Sequence, residues 1–325
     1  MIPNPRRRTG LNLFAVALLC CPFGAQAQDF PNRAIHIIVP YTSGTGTDIV
    51  ARLMMGPLSE RLKQAIIIDN KPGAGAALGV KALKDARPDG YTVGVLVSGN
   101  AIQPWITKDL GFDIRKDFAP ITLMYSGPLV MTVPTTSAVK TVAEFVASAK
   151  ANPDKVFFGS AGAGTTSHLV PEMLKQVSGA PMTHVPFKGS PEVYTAMFGG
   201  SVQTFFDNYA TPKSLVEAGK LRVLGISSAQ RVSWLPNVPT FAETYPGFEA
   251  SFWTGFAAPL GTPKAVLDRL TTELRAVLQM PEIRARMAEL GLVPGGNTPA
   301  EFSRYLASEY DKWGKVTQAA GMKPE

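Results

Sequence analysis

Cysteine is almost absent from this chain of 325 residues, and the two it has stand side by side at Cys20 and Cys21 in an apolar N-terminal run. Each follows a bulky or thiol residue, where a lipid-attachment motif requires a small one. Removal of that run leaves a mature chain with no disulfide, no thiol nucleophile and no cysteine metal site. Histidine is also scarce, at three residues. His168 and His184 are too far apart for a helical metal pair, so no metal is expected. Charged residues make up 18% of the chain, and its formal charge of +7 falls to +4 once Arg6, Arg7 and Arg8 are set aside. There is no basic run with interleaved aromatics, which argues against nucleic acid. The G-x-S-x-G of α/β hydrolases is missing. After the N-terminal run no apolar stretch reaches the roughly 20 residues a membrane-spanning helix needs.

Arg6–Arg8, the apolar run from Leu11 to Cys21 and Ala25-Gln26-Ala27 have the order of a secretory signal. Cleavage is expected after Ala27, with residues 1–27 removed and the product exported to the periplasm. The three arginines leave twin-arginine export open beside the general route.

The stretch Ile35–Arg52 organises the rest of the chain. Ile35, Ile37, Ile38 and Val39 form a β-branched run that Pro40 closes, which reads as a buried strand. The polar turn Tyr41-Thr-Ser-Gly-Thr-Gly-Thr47 comes next, and helical spacing begins at Asp48. A helix start behind a Gly-rich turn directs free backbone N–H groups at an anion. Gly56-Pro57 should kink this helix. Further strands are expected at Ala65–Asp69, Tyr91–Val97, Leu129–Val133, Lys155–Phe158, Val202–Phe206 and Arg222–Ile226, with helical stretches between. The βαβ rhythm argues for a parallel sheet covered on both faces. Thr141–Glu144 and Thr298–Glu301 are capping boxes, and Ser190 caps a helix with Pro191 at its first position. In the last helix Phe302, Tyr305, Leu306 and Trp313 recur near the helical period and should pack on a sheet.

A second polar turn, Gly159-Ser-Ala-Gly-Ala-Gly-Thr-Thr-Ser167, again lies between a strand and a helix. Gly44, Gly46, Gly162 and Gly164 allow positive φ, so successive N–H groups can form a nest for an oxyanion. Thr47, Ser160, Thr165 and Thr166 add hydroxyl donors. Asp48 would repel a carboxylate, so its expected work is at its own helix N-terminus. His168 has two readings, a site residue or a histidine bonded to its own loop. Asp207 either accepts from a ligand amine or hydroxyl or caps the turn Asp207-Asn208. The alternative to a binding protein is a dinucleotide-dependent α/β enzyme acting on a carboxylate substrate. Its G-x-G-x-x-G is incomplete, because Ile49 and Leu78 stand where third glycines belong.

Together IIVPYTSGTGTDIVAR, DNKPGAGAALG with PDGYTV, FGSAGAGTTSHL, HVPFKGS, FFDN and LPNVPTFAETYPGFEAS with APLGTPK resemble the Bug family in order and spacing. These are periplasmic solute receptors of tripartite tricarboxylate transporters. The resemblance covers essentially everything after the signal. It implies an α/β, two-lobed periplasmic-binding-protein architecture (Venus flytrap, type II) with a cleft between the lobes. Lobe 1 would comprise residues 28–126 with 254–325 and lobe 2 residues 127–253, the chain crossing near Tyr125–Pro128 and Ser251–Gly255. It implies a monomer that is not an enzyme, needs no cofactor, binds a small organic carboxylate and delivers it to separate membrane components. The ligand-binding residues it implies are Tyr41, Ser43, Gly44, Thr45, Gly46, Thr47, Asp48, Ser98, Asn100, Ser160, Ala161, Gly164, Thr165, Thr166, His168 and Asp207. Where the family usually has a proline and three glycines, this chain has Ser43-Gly44-Thr45-Gly46, so hydroxyls are expected to replace some backbone contacts.

Overall fold

The computed structural model describes residues 30–319, with Met1 and Pro324. The expected cleavage at Ala27 and both cysteines lie outside the described residues.

Three parallel strands open the fold. β1 (Ile35–Val39) lies between β2 (Ile66–Asn70) and β3 (Thr92–Val97), with α1 (Gly46–Leu62) and α2 (Ala77–Lys84) as the crossovers. Ile35, Ile37 and Val39 are buried. α1 runs on through Pro57 as one helix. Its buried face, Val50, Met54, Leu58 and Leu62, secures it, and Arg61 joins it to a later helix by a 2.6 Å bond to Glu273. Packing of that face outweighs one lost backbone bond. α3 (Gly99–Ile102) is a single turn after β3.

β4 (Phe118–Pro134) is 17 residues long, and only its end carries the β-branched run visible in the sequence. At about 3.3 Å per residue it is long enough to serve two sheets. From there the chain alternates through α4 (Val142–Ala151), β5 (Phe157–Ser160), α5 (Thr166–Ser178), β6 (Thr183–Pro186), α6 (Ser190–Phe198), β7 (Thr204–Asn208), α7 (Lys213–Glu217) and β8 (Leu221–Ile226). β9 (Ser251–Pro259) then returns to pair antiparallel with both β3 and β4. α8 (Lys264–Gln279), α9 (Pro281–Glu289), β10 (Val293–Pro294) and α10 (Pro299–Ala319) finish the described chain.

The strand order is β2-β1-β3-β9-β4-β7-β5-β6, with β8 and β10 also on β4. β4 pairs β9 from Phe118 to Pro128, then β7 and β8 from Leu129 onward. Register shifts after Pro120, Leu123 and Met131 bend it, as bulges do. Two half-sheets therefore share one continuous strand.

α10 begins on the expected capping box: Glu301 N–H donates to Thr298 Oγ1 at 3.3 Å and Thr298 N–H to Glu301 Oε2 at 2.7 Å. Phe302, Leu306 and Trp313 are buried, as the period predicted. Phe302 fits because Gly255 has no side chain; a Cβ there would stand 2.2 Å from the ring. Buried Glu309 accepts from the indoles of Trp253 at 2.9 Å and Trp313 at 3.1 Å. Ser190 does not cap α6. Gly189 occupies the cap, Ser190 is the first helical residue, and its hydroxyl bonds Asp207 instead.

Candidate functional site

The strand ends after β1, β3, β5 and β7 meet where the half-sheets face each other, the usual ligand position in open α/β sheets. Between them lies a cavity of about 50 Å³. Some 10–15 Å³ of such volume holds one water, so there is room for a few waters or an acid group. Tyr41, Thr45 and Thr47 come from the first turn and Ser98 from the end of β3. Ala161, Thr165, Thr166 and Ser167 come from the second turn, and Ser190, Asp207 and Asn208 from α6 and β7. Val97, Leu129, Phe252, Trp253 and Thr254 complete the wall, so among the described residues no Lys, Arg or His lines it.

α1 and α5 both start at this cavity, each behind a threonine N-cap, Thr45 and Thr165. The first N–H groups of each helix, at Gly46 and Thr47 and at Thr166 and Ser167, have no intrahelical partner. The helix dipoles add partial positive charge at the same place. Such an arrangement suits an anion without a cation.

Close contacts seal it. A Cβ on Gly46 would stand 1.9 Å from Asn208 Oδ1, and one on Gly189 2.2 Å from Thr42 Oγ1. On another side the β2–α2 loop meets the second turn, where a Cβ on Gly75 would stand 2.1 Å from the Ala163 carbonyl. These loops approach as closely as they do only because glycine lies at each contact.

Residues 50–322 match the tripartite tricarboxylate transporter family receptor. The chain belongs to that family. Among solved structures, the periplasmic binding protein BugD is 30% identical, with a TM-score of 0.88 over 91% of this chain and 100% of that one. An R. palustris protein solved with adipate is 33% identical, with a TM-score of 0.88 over 91% of this chain and 100% of that one. MatC from Rhodopseudomonas palustris, with bound malate, is 28% identical, with a TM-score of 0.83 over 88% of this chain and 99% of that one. The two-lobed α/β periplasmic-binding-protein fold expected from the sequence is therefore the fold of this receptor.

Eight of the sixteen residues implied by the resemblance line the receptor's cavity: Tyr41, Thr45, Thr47, Ser98, Ala161, Thr165, Thr166 and Asp207. The other eight support it from behind. Ser43 and Gly44 are exposed, and both donate to Asp48 Oδ2, at 3.2 and 2.9 Å. Asp48 also accepts from Arg52 Nε at 2.9 Å and Asn70 Nδ2 at 3.0 Å. Burial would raise this carboxyl, but the bonds from Arg52, Gly44 and Asn70 hold it below the usual range. As expected, it serves its own helix. Gly46 is helical, not left-handed as supposed, and its use is the space it leaves for Asn208. Asn100 accepts from Val97 N–H at 2.8 Å and locks the turn after β3.

The second turn spends most of its donors internally, so the expected nest of glycine N–H groups does not face the cavity. Gly162 N–H donates to Ser160 Oγ at 3.1 Å, Ala161 N–H to Ser167 Oγ at 3.0 Å and Gly164 N–H to His168 Nδ1 at 3.2 Å. His168 thus takes the loop-bonding role. Its ring stacks on His184 at 3.8 Å between centroids, and His184 Nε2 bonds Ser160 Oγ at 2.6 Å. Burial, then Lys175, lowers His168 to about 4; burial, His168 and Lys175 lower His184 to about 3. Both rings are neutral near pH 7 and offer an anion no charge.

Sequence reasoning missed Ser167, Ser190, Asn208 and the wall from Leu129 and β9. Asn208 was legible as the neighbour of Asp207. Ser190 was hidden by its cap-like position before Pro191. The β9 residues carry no sequence signal, because strand pairing alone brings them to the cavity.

Proposed function

We propose that this receptor binds a small organic carboxylate between its lobes, unchanged, and delivers it to the membrane components of a tripartite tricarboxylate-type transporter. The single observation that carries this is the pair of helix N-termini, α1 and α5, meeting in a buried cavity with no cationic lining among the described residues. The adipate and malate of its structural neighbours are the same class of ligand. Lobe 1 is residues 28–126 with 254–325 and lobe 2 residues 127–253; pairing of β4 with β9 to Pro128 and with β7 from Leu129 supports that division. The receptor is a monomer, exported to the periplasm by a signal cleaved after Ala27. A dinucleotide enzyme is the weaker reading, since neither Gly44-Thr-Gly46 nor Gly73-Ala-Gly75 is completed by a third glycine, Ile49 and Leu78 standing in its place.

A thermal-shift panel of di- and tricarboxylates, acidic amino acids and aromatic acids tests the class. A ligand at one hundred times its Kd stabilises the native state by about 2.7 kcal/mol. The acid that shifts most should be recovered unaltered by mass spectrometry after long incubation. Its methyl ester should bind at least about tenfold more weakly, because each lost charge-assisted hydrogen bond is worth about 1.5–3 kcal/mol. Equal affinity for acid and ester would sink the two-helix grip.

A further inference from the structure

Among the described residues Asp207 is the only carboxyl on the cavity wall, and it is 6% exposed. Its oxygens accept from Asn208 N–H at 2.8 Å, Asn208 Nδ2 at 3.4 Å and Tyr194 OH at 3.4 Å, and from the hydroxyls of Ser190 and Thr211. A carboxylate has about four lone-pair sites, so these donors leave no place for a ligand ammonium. Three of the donors are hydroxyls, which can turn and accept instead. The network can therefore accommodate a protonated Asp207, although its donors by themselves favour the ionised form, and burial supplies the opposing push.

No cation among the described residues answers this carboxyl. The titratable groups facing it are phenols: Tyr41 after β1, Tyr125 on β4 and Tyr194 on α6. On α5, His168 is turned to His184, and Lys175 is paired with Glu172 at 2.9 Å. On α7, Lys213 is paired with Glu217. A second negative charge in the same dry space would repel an ionised Asp207 strongly. Burial already raises the carboxyl to about 7, against the downward pull of its hydrogen bonds from Ser190, Asn208, Thr211 and Tyr194.

We propose that Asp207 takes up one solvent proton as the carboxylate enters, so that the receptor loads anion and proton together and favours acids without an ammonium group. One proton is taken up for the one carboxylate group that enters the cavity, and a second carboxylate on the ligand keeps its charge. The inference rests on the carboxylate reading of the cavity.

Adipate, malate and succinate are the probes, with calorimetry at pH 7 and 8.5 in phosphate and in Tris, whose ionisation heats differ. Wild type should take up about one proton per bound acid at pH 8.5 and bind more than about tenfold more weakly there than at pH 7. Asp207→Asn should lose this pH dependence and bind about tenfold more tightly than wild type at pH 8.5. The Asp207 carboxyl resonance, assigned by its absence from that variant, should titrate near 7 in ligand-free protein and above 8.5 with saturating acid. A midpoint below 5, binding by wild type without proton uptake, or an Asp207→Asn variant that folds but binds at neither pH overturns the proposal alone. Failure of every acid in the thermal-shift panel to bind wild type overturns the carboxylate reading and this inference with it.

Discussion

Gly75→Ala perturbs the seal of the cleft without touching its lining. The new Cβ would stand 2.1 Å from the Ala163 carbonyl oxygen and 2.8 Å from Gln103 Nε2. Carbon and carbonyl oxygen normally approach to about 3.3 Å, so the β2–α2 loop and the second turn must part by about 1 Å. Overpacking of this kind costs about 1–3 kcal/mol, and the upper figure applies because the obstacle is backbone. If the lobes close only in the bound state, that cost falls on the closed form alone. Apparent affinity then drops with the closed population, by about 150-fold for 3 kcal/mol. Gly75 also has φ +60, so alanine adds a left-handed penalty of about 1 kcal/mol in both states. Gly200→Ala is the control, with φ +78 and no atom within 4 Å of the added carbon. Both variants should lose similar stability to urea, and only Gly75→Ala should lose affinity and ligand-induced compaction in X-ray scattering. Equal affinity in the two variants would refute the argument that this contact forms the closed state.

Glu309→Ala orphans the buried indole N–H groups of Trp253 and Trp313, and should cost about 2–6 kcal/mol at roughly 1–3 kcal/mol per buried donor. Glu309→Gln keeps an acceptor and should lose less in urea unfolding; equal losses would show that the shared oxygen is not what matters. His168 and His184 are depressed from 6.5 to about 4 and about 3, so their contribution is full above pH 6.5 and is lost as pH falls through those folded values. The melting temperature should decline below pH 6.5, and the His168→Gln/His184→Gln variant should decline less steeply; matching slopes would place the acid sensitivity elsewhere.

Much of the framework was determined by local sequence. The run Ile35–Val39 with its turn and helix, the capping box Thr298–Glu301 and the aromatic period of α10 each rest on contacts within a few residues. The two polar turns were legible for the same reason, as was the protective role of Asp48 at its helix start. Tertiary structure decided which donors remain free. Gly44, Gly162 and Gly164 turn their N–H groups to Asp48, Ser160 and His168 by bonds of 2.9, 3.1 and 3.2 Å, and so leave the grip to the helix starts. It also decided the continuity of β4, since its first half is held by β9, more than one hundred residues later, and carries little β signal of its own. The environment of Asp207 is tertiary as well. Its charge state depends on Ser190, Tyr194 and Thr211 and on burial without a counter-charge. That is a property of the surroundings, which the position of Asp207 in the chain does not encode.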